Sequence, residues 1–435
     1  MKLRHGVAAT ALLALCPAAW ANTITVNGTT IGPGVCTLPL AVDNANGSPT
    51  NANCSAGSGS DIIQFAGAGF GTTTLLSTLT VSRALTINGS SGVVIDAGGV
   101  PAFSVSSGAA LGLQNLSVIH GDGADSSHGS ALTNAGTVAL TSVLFDSNAG
   151  NAILNQSSGD LIGDRLVFSG NGGSGTSGGA AILNKGDATV AFSLFEGNDG
   201  GSVAPAAIDN QSGGTTLVLS STFDANTGTP GVTRNAATMK IVNSTFFRDA
   251  SSGSGVVATT GGTTTIVNAT LSGDAISTSS GATTSLSNTL IAGNATDCSG
   301  TGTVSNVANN HFDSGCGSIP AAGGTLGLDP ALGDHGGPAL PTGDVLPTLA
   351  LTAGSSSIDA GSDTVCNTAL TGGGAGGEDE RGFPRPHGAH CDIGAFEFGA
   401  SAPHVSTGGA GGGALDTDLL LGMLMLAGLR RRRGR

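Results

Sequence analysis

A bulky apolar residue, two small or polar residues and then Asn or Asp recur down the middle of the chain. The boxes run Phe145 to Asn148, Phe168 to Asn171, Phe195 to Asn198, Phe223 to Asn226, Phe246 to Asp249, Leu271 to Asp274 and Ile291 to Asn294. Successive boxes lie 23, 27, 28, 23, 25 and 20 residues apart, a period in the range of stacked-repeat solenoids. Between them the apolar residues alternate in short runs, as at Leu217-Val218-Leu219 or Ile241 followed by Asn243 and Thr245, each flanked by Gly, Ser and Asn. The pattern predicts two or three short strands per unit. Units of this length stacked at about 4.8 Å per coil make a parallel β-helix, and ten or so coils make a rod on the order of 50 Å long.

The box reads as scaffold. Its apolar residue faces the core, and its Asn turns the chain while the side-chain amide bonds the coils above and below. A second file, Asn134, Asn155, Asn184, Asn210 and Asn235, recurs 21, 29, 26 and 25 residues apart, mostly after small apolar strings such as Ala181-Ile182-Leu183. Over roughly residues 129–294 these paired motifs resemble the GGA-I and F-x-x-N repeats of polymorphic outer-membrane proteins. Composition agrees with the periodicity: 74 Gly among 435 residues, with abundant Ser, Thr and Asn, favours strands and turns over long helices.

The ends of the chain speak to its destination. Lys2 and Arg4 precede an apolar run from Val7 to Leu15, and Ala19-Trp20-Ala21 supplies the small residues of a signal-peptidase site, so cleavage after Ala21 is expected. A lipoprotein reading through Cys16 is disfavoured because Leu15 stands where a small residue is needed. Six cysteines remain after the leader: Cys36, Cys54, Cys298, Cys316, Cys366 and Cys391. An even count in an exported chain implies disulfides; nearest-neighbour pairing closes three local loops, although six cysteines allow about 15 connectivities. At the other end, glycines from Gly408 to Gly413 lead into Leu415 to Leu429 and then Arg430 to Arg433 and Arg435. That apolar stretch spans about 22 Å as a helix, short of a hydrocarbon core of about 30 Å. The layout resembles the GlyGly-CTERM sorting tail, which implies transient inner-membrane retention and cutting by a rhomboid-like intramembrane protease on the way to the surface.

Two further stretches carry resemblance. Cys36-Thr37-Leu38-Pro39-Leu40-Ala41-Val42, running on to Asp61-Ile62-Ile63-Gln64-Phe65, is similar to the CSLREAI segment of bacterial surface β-helix proteins, with Pro39 and Leu40 in place of the polar-charged pair. It suits a cap over the first coil, held by a bridge from Cys36 to Cys54. The strings Leu328-Asp329-Pro330-Ala331-Leu332, Asp334-His335-Gly336-Gly337-Pro338, Ser357-Ile358-Asp359-Ala360-Gly361, Asp379-Glu380-Arg381-Gly382-Phe383-Pro384-Arg385-Pro386 and Asp392-Ile393-Gly394-Ala395-Phe396-Glu397-Phe398 occur in order. They resemble the choice-of-anchor Q domain, with which no enzymatic activity comes. The expected plan is all-β, a right-handed parallel β-helix (a single-stranded solenoid) with N- and C-terminal caps. Its parts are signal peptide 1–21, N-terminal cap 22–75, repeats 76–297, C-terminal cap 298–398, Gly-rich linker 399–414 and tail 415–435.

Candidate chemistry is sparse. Between leader and tail the only basic residues are Arg83, Arg165, Lys185, Arg234, Lys240, Arg248, Arg381 and Arg385, spread over different coils, and no Trp or Tyr offers a sugar platform. A polysaccharide lyase or glycoside hydrolase needs acids and bases converging from adjacent coils, and no such set is evident. His120, Asp122, Asp125 and His128 are the candidate metal ligands, for calcium or another divalent ion, set against an ordinary solvated turn. Glu378, Asp379 and Glu380 beside Arg381, near His387 and His390, read as an ion pair pinning the last loop. No cofactor is expected and no catalytic residue is assigned. The processed body holds 27 acids against 8 bases, about −19, which repels nucleic acid and anionic lipid. The expectation is an exported protein of the cell surface, outer membrane or medium with a structural, adhesive or recognition role, its polysaccharide or protein ligand unidentified. The enzymatic reading is the alternative.

Overall fold

The computed structural model describes residues 21–402 apart from 49–50, 68–69, 124–128, 174–178, 252–254, 274, 294–295 and 318. The leader and sorting tail, and Asp125, His128, Asp274 and Asn294, lie outside the described residues. Among the described residues no helix is long and apolar enough to cross a membrane.

Each full coil lays one strand on each of three faces. In one coil these are Ile153–Asn155, Asp160–Asp164 and Val167–Ser169. They pair in parallel and in register with the next coil, Ile153 with Ile182, Asp160 with Asp187 and Phe168 with Phe195. The first face is a ten-stranded sheet from Leu79–Val81 to Cys298–Gly300. The chain is therefore a parallel β-helix. Its ladders run past both ends of the repeat range: Thr23–Val26 already pairs with Ser60–Phe65, and Thr303–Ala308 and His311–Phe312 add the last strands.

Two columns of left-handed residues make the bends. One separates the second face from the third: Ser90, Asn115, Ser142, Arg165, Phe192, Ser220, Asn243, Asn268 and Asn288 all have φ between 46° and 54°. From Ser142 onward this corner falls three residues before each box and repeats with its spacing. The other is the third residue of the box, including Ser147 (53°), Ala225 (55°) and Arg248 (54°). The turn is thus made one residue before the Asn, because Asn is committed to the ladder. A non-glycine residue in this conformation costs about 1–2 kcal/mol, so the stacked neighbours must hold it there.

The ladders supply that hold. Phe145, Phe168, Phe195, Phe223 and Phe246 are fully buried and stack ring on ring, with centroids 5.1, 4.8, 4.7 and 4.3 Å apart and planes within 11°. The column continues as Leu271, Ile291 and Phe312 in the same register. Asn148, Asn171, Asn198 and Asn226 each donate Nδ2 to the next Oδ1 at 2.8–3.0 Å, ending on Asp249. Burial pushes the Asp249 carboxyl up to about 8, so at neutral pH it closes the file as an uncharged acid. On the first face Asn134, Asn155, Asn184, Asn210 and Asn235 form a matching amide chain at 2.8–2.9 Å. It hands over to threonines through Asn235 Nδ2 to Thr264 Oγ1, 2.9 Å. Buried amides in a file satisfy each other coil after coil, so both files carry amide groups through the core, while Asp249 Oδ2 at the end of one is buried without a partner.

At the N-terminal end the helix Leu38–Ala45 buries Leu38, Ala41 and Val42 against the first coils. Disulfides join Cys36–Cys54, Cys298–Cys316 and Cys366–Cys391, the nearest-neighbour pairing.

Candidate functional site: the junction of cap and rod

After Phe312 the chain turns back and packs along the side of the coils. A hairpin held by antiparallel bridges Leu328 to Leu351, Gly333 to Thr348 and Ala339 to Val345 runs beside the third face. The first residue of each third-face strand points outward here, giving the column Leu144, Val167, Leu194, Thr222, Thr245, Thr270, Leu290. The cap matches that column residue by residue. Leu340 and Leu346 cover Val167 and Leu194, while Leu326, Leu351 and Ile393 cover Leu290. Between the two apolar patches the threonines receive polar groups: Ala395 N–H donates to Thr270 Oγ1 (2.9 Å), and Glu380 enters between Thr222 and Thr245.

Glu380 is fully buried. Its Oε1 accepts from Thr222 Oγ1 (3.0 Å) and Thr245 N (3.1 Å), and its Oε2 lies 2.5 Å from Thr245 Oγ1. Burial outweighs the hydrogen bonds that favour the anion and pushes the carboxyl up to about 8, so it docks uncharged, with Oε2–H donating to Thr245 Oγ1. The flanking acids are charge-balanced. Asp379 pairs with Arg381 at 2.6 Å, and the Arg381 guanidinium lies 3.7 Å from the Phe396 ring centroid and 4.3 Å from that of Phe383. Buried Arg385 donates to the carbonyls of Gly394 (3.0 Å) and Ala395 (2.6 Å) and lies 3.7 Å from Glu397, whose carboxyl burial raises to about 7. The triad Glu378-Asp379-Glu380 is thus split: Asp379 forms the ion pair, Glu380 is the docking group, and Glu378 O accepts from Asn243 Nδ2 (2.9 Å). His387 Nδ1 meets Phe398 O at 3.2 Å and His390 Nδ1 meets Asp363 Oδ2 at 2.9 Å, both at the surface.

The corner column is the second half of this interface. Asn288 reads the backbone of Ser362 at two points, accepting its N–H on Oδ1 (2.8 Å) and donating Nδ2 to its carbonyl (3.2 Å). Asn243 Nδ2 donates to Ala375 O and Glu378 O, Asn268 Nδ2 to Cys366 Sγ, and Phe192 faces Gly382. Lys240 is held nearby by the carbonyls of Leu370 (3.0 Å) and Gly374 (3.1 Å), and burial lowers its pKa.

The turn from His120 is not assembled into a metal centre by the residues described. His120 Nδ1 lies 3.4 Å from Asp96 and occupies the left-handed turn position that Ser147 fills one coil on. Asp122 forms a backbone bridge to Ala149, and no group of three or more potential metal ligands occurs among the described residues. One acidic arrangement has no counterpart in the sequence reading. The residue after the Phe of a box faces outward on the third face, so Asp146, Ser169, Glu196 and Asp224 stack on successive coils. Burial raises the Glu196 pKa, and Asp224, Asp344 of the cap and Asp146 raise it further. Asp224 is held on both oxygens by Arg248, Nε to Oδ1 at 3.0 Å and Nη2 to Oδ2 at 2.6 Å. The signal was present in Phe145-Asp146, Phe195-Glu196 and Phe223-Asp224, had the box been read one residue past its Phe as a surface position.

Comparison with known proteins finds no protein family that matches the chain and no curated protein significantly similar to it.

Proposed function

We propose that the protein acts outside the cytoplasm, as a disulfide-braced rod at the cell surface or released from it, with a structural, adhesive or recognition role. The observation that carries this reading is the closure of Cys36, Cys54, Cys298, Cys316, Cys366 and Cys391 into three disulfides, which persist in oxidising compartments. The leader-like start and the Gly, apolar, Arg order of the end support export by signal peptidase and sorting by a rhomboid-like protease. The C-terminal strings support a choice-of-anchor Q-like cap, and its buried ionic cluster suits a clasp that holds the cap in place.

Fractionating the native host and measuring the mature chain by mass spectrometry tests this. The reading expects an N-terminus at Asn22, a C-terminus near the glycines from Gly408 and a mass reduced by three disulfides; a cytoplasmic chain with an intact Arg435 refutes it. The enzymatic reading is favoured by one feature, Glu196 and Asp224 on adjacent coils with Asp146 and Asp344 nearby. Register sets those two strands about 4.8 Å apart, a backbone spacing a little under the about 5–5.5 Å between the carboxyl groups of a retaining glycosidase. Against it, Arg248 occupies both Asp224 oxygens, leaving that carboxylate unready to attack a sugar. New reducing ends from a polysaccharide panel, lost in Glu196→Gln, would move the assignment to hydrolysis.

A further inference from the structure

The corner column that seats the cap is longer than the cap. Phe192, Ser220, Asn243, Asn268 and Asn288 are buried beneath it, Arg165 and Ser142 are half-buried, and Asn115 and Ser90 are exposed. The covered asparagines read main chain: Asn288 takes both the N–H and the carbonyl of Ser362, and Asn243 takes two carbonyls. Asn115 has the same residue type, the same left-handed backbone (54°) and the same corner position, and its Nδ2 makes a long 3.4 Å bond to Asn88 Oδ1. Where the cap ends, a cavity of about 330 Å³ opens between this uncovered stretch and the hairpin tip, lined by Asn115, Ser117, Ser142 and Arg165 on the rod and Leu340 and Pro341 on the cap.

We infer that this open end of the rail binds an extended peptide segment of a partner protein, running along the rod axis as a continuation of the cap's own path. Main-chain groups of the segment meet the Asn115 amide and the Ser142 hydroxyl, as those of Ser362 meet Asn288. Arg165, whose Nη2 lies 2.8 Å from Asp164, supplies the donor side of the groove, and Ala339 and Pro341 supply an apolar edge for one uncharged side chain. Four corners stacked at about 4.8 Å give about 14 Å of rail, the length of about four extended residues. Recognition of main chain makes the site tolerant of sequence, with specificity left to the apolar edge. The inference deepens the recognition role proposed above and rests on it; the site can fail while export and surface location stand.

The test is to pan the full mature protein against a phage-displayed library of random heptapeptides, then measure the resynthesised winners by fluorescence anisotropy. The competing variant is Asn115→Gly with Ser142→Gly, which keeps both positive-φ corners and deletes only the side chains that read the peptide. Thermal unfolding of the variant checks that the rod is intact. The expected result is enrichment on the native protein and at least tenfold weaker binding to the double variant. The inference is overturned by no enrichment over a blank surface, by equal binding to the variant, or by a neutral oligosaccharide, chitotetraose or maltotetraose, occupying this groove in place of peptides.

Discussion

Replacing Glu380 by Gln separates the shape of the docking group from its titration. Gln keeps an oxygen for Thr222 Oγ1 and Thr245 N and presents an amide to Thr245 Oγ1, so below about pH 5 the change is expected to fall within about 1 kcal/mol of the native protein. Unfolded, Glu380 loses its proton near its ordinary value of 4.5; folded, it keeps the proton up to about 8. Between those limits the native state holds one more proton than the unfolded chain, so the native protein loses stability as pH rises, by about 1.4 kcal/mol per pH unit from this group. The contribution is whole below the unfolded pKa and gone above the folded one. All other titrating groups are shared by the two proteins and cancel in the difference. Urea unfolding from pH 5 to 8.5 should therefore show the Gln variant gaining steadily on the native protein and overtaking it on the alkaline side. Curves that stay parallel across this range would mean that Glu380 docks as an anion and that the reasoning is wrong. Glu380→Ala, which strips the partners from three buried polar groups, Thr222 Oγ1, Thr245 N and Thr245 Oγ1, should cost about 3–5 kcal/mol at pH 5.

Three further outcomes follow from the ladders and bridges. Phe195→Ala opens a gap between two stacked rings and should cost about 3–5 kcal/mol by chemical denaturation, while Phe195→Leu, the residue type used at Leu271, should cost clearly less. Asn198→Leu removes two donations by Nδ2 and two acceptances by Oδ1, about 4 kcal/mol at about 1 kcal/mol each, and circular dichroism should show the loss as a lowered melting point with native strand content before melting. Serine at both Cys366 and Cys391 releases a loop with a sequence separation of 25, worth about 3 kcal/mol, and should speed proteolysis between them.

The rod was legible because its determinants are periodic. Phe and Asn recur once per coil, at spacings of 20 to 29 residues, and a residue that stacks on its own kind needs no knowledge of distant chain to be placed. The left-handed corners were less visible, since Arg165 and Phe192 are not residue types that announce positive φ; their conformation is imposed by the coils on either side. The lateral course of the cap was not legible at all. It depends on Leu194, Thr222, Thr245 and Leu290 facing outward in one line, which only the register reveals, and on Glu380, whose burial makes a docking group of a residue that composition places at the surface. For the same reason Asp146, Glu196 and Asp224 fell into one column only once the strands were stacked.

Hydrogen–deuterium exchange by mass spectrometry, comparing the native protein with Glu380→Ala, tests lateral docking of the cap most directly. The account predicts strong protection at the corners from Phe192 to Asn288 and fast exchange at Ser90 and Asn115, with the variant losing protection around Thr222 and Thr245 while the Asn134 to Asn235 ladder keeps its own. Uniform protection of all the corners, unchanged by the substitution, would contradict it.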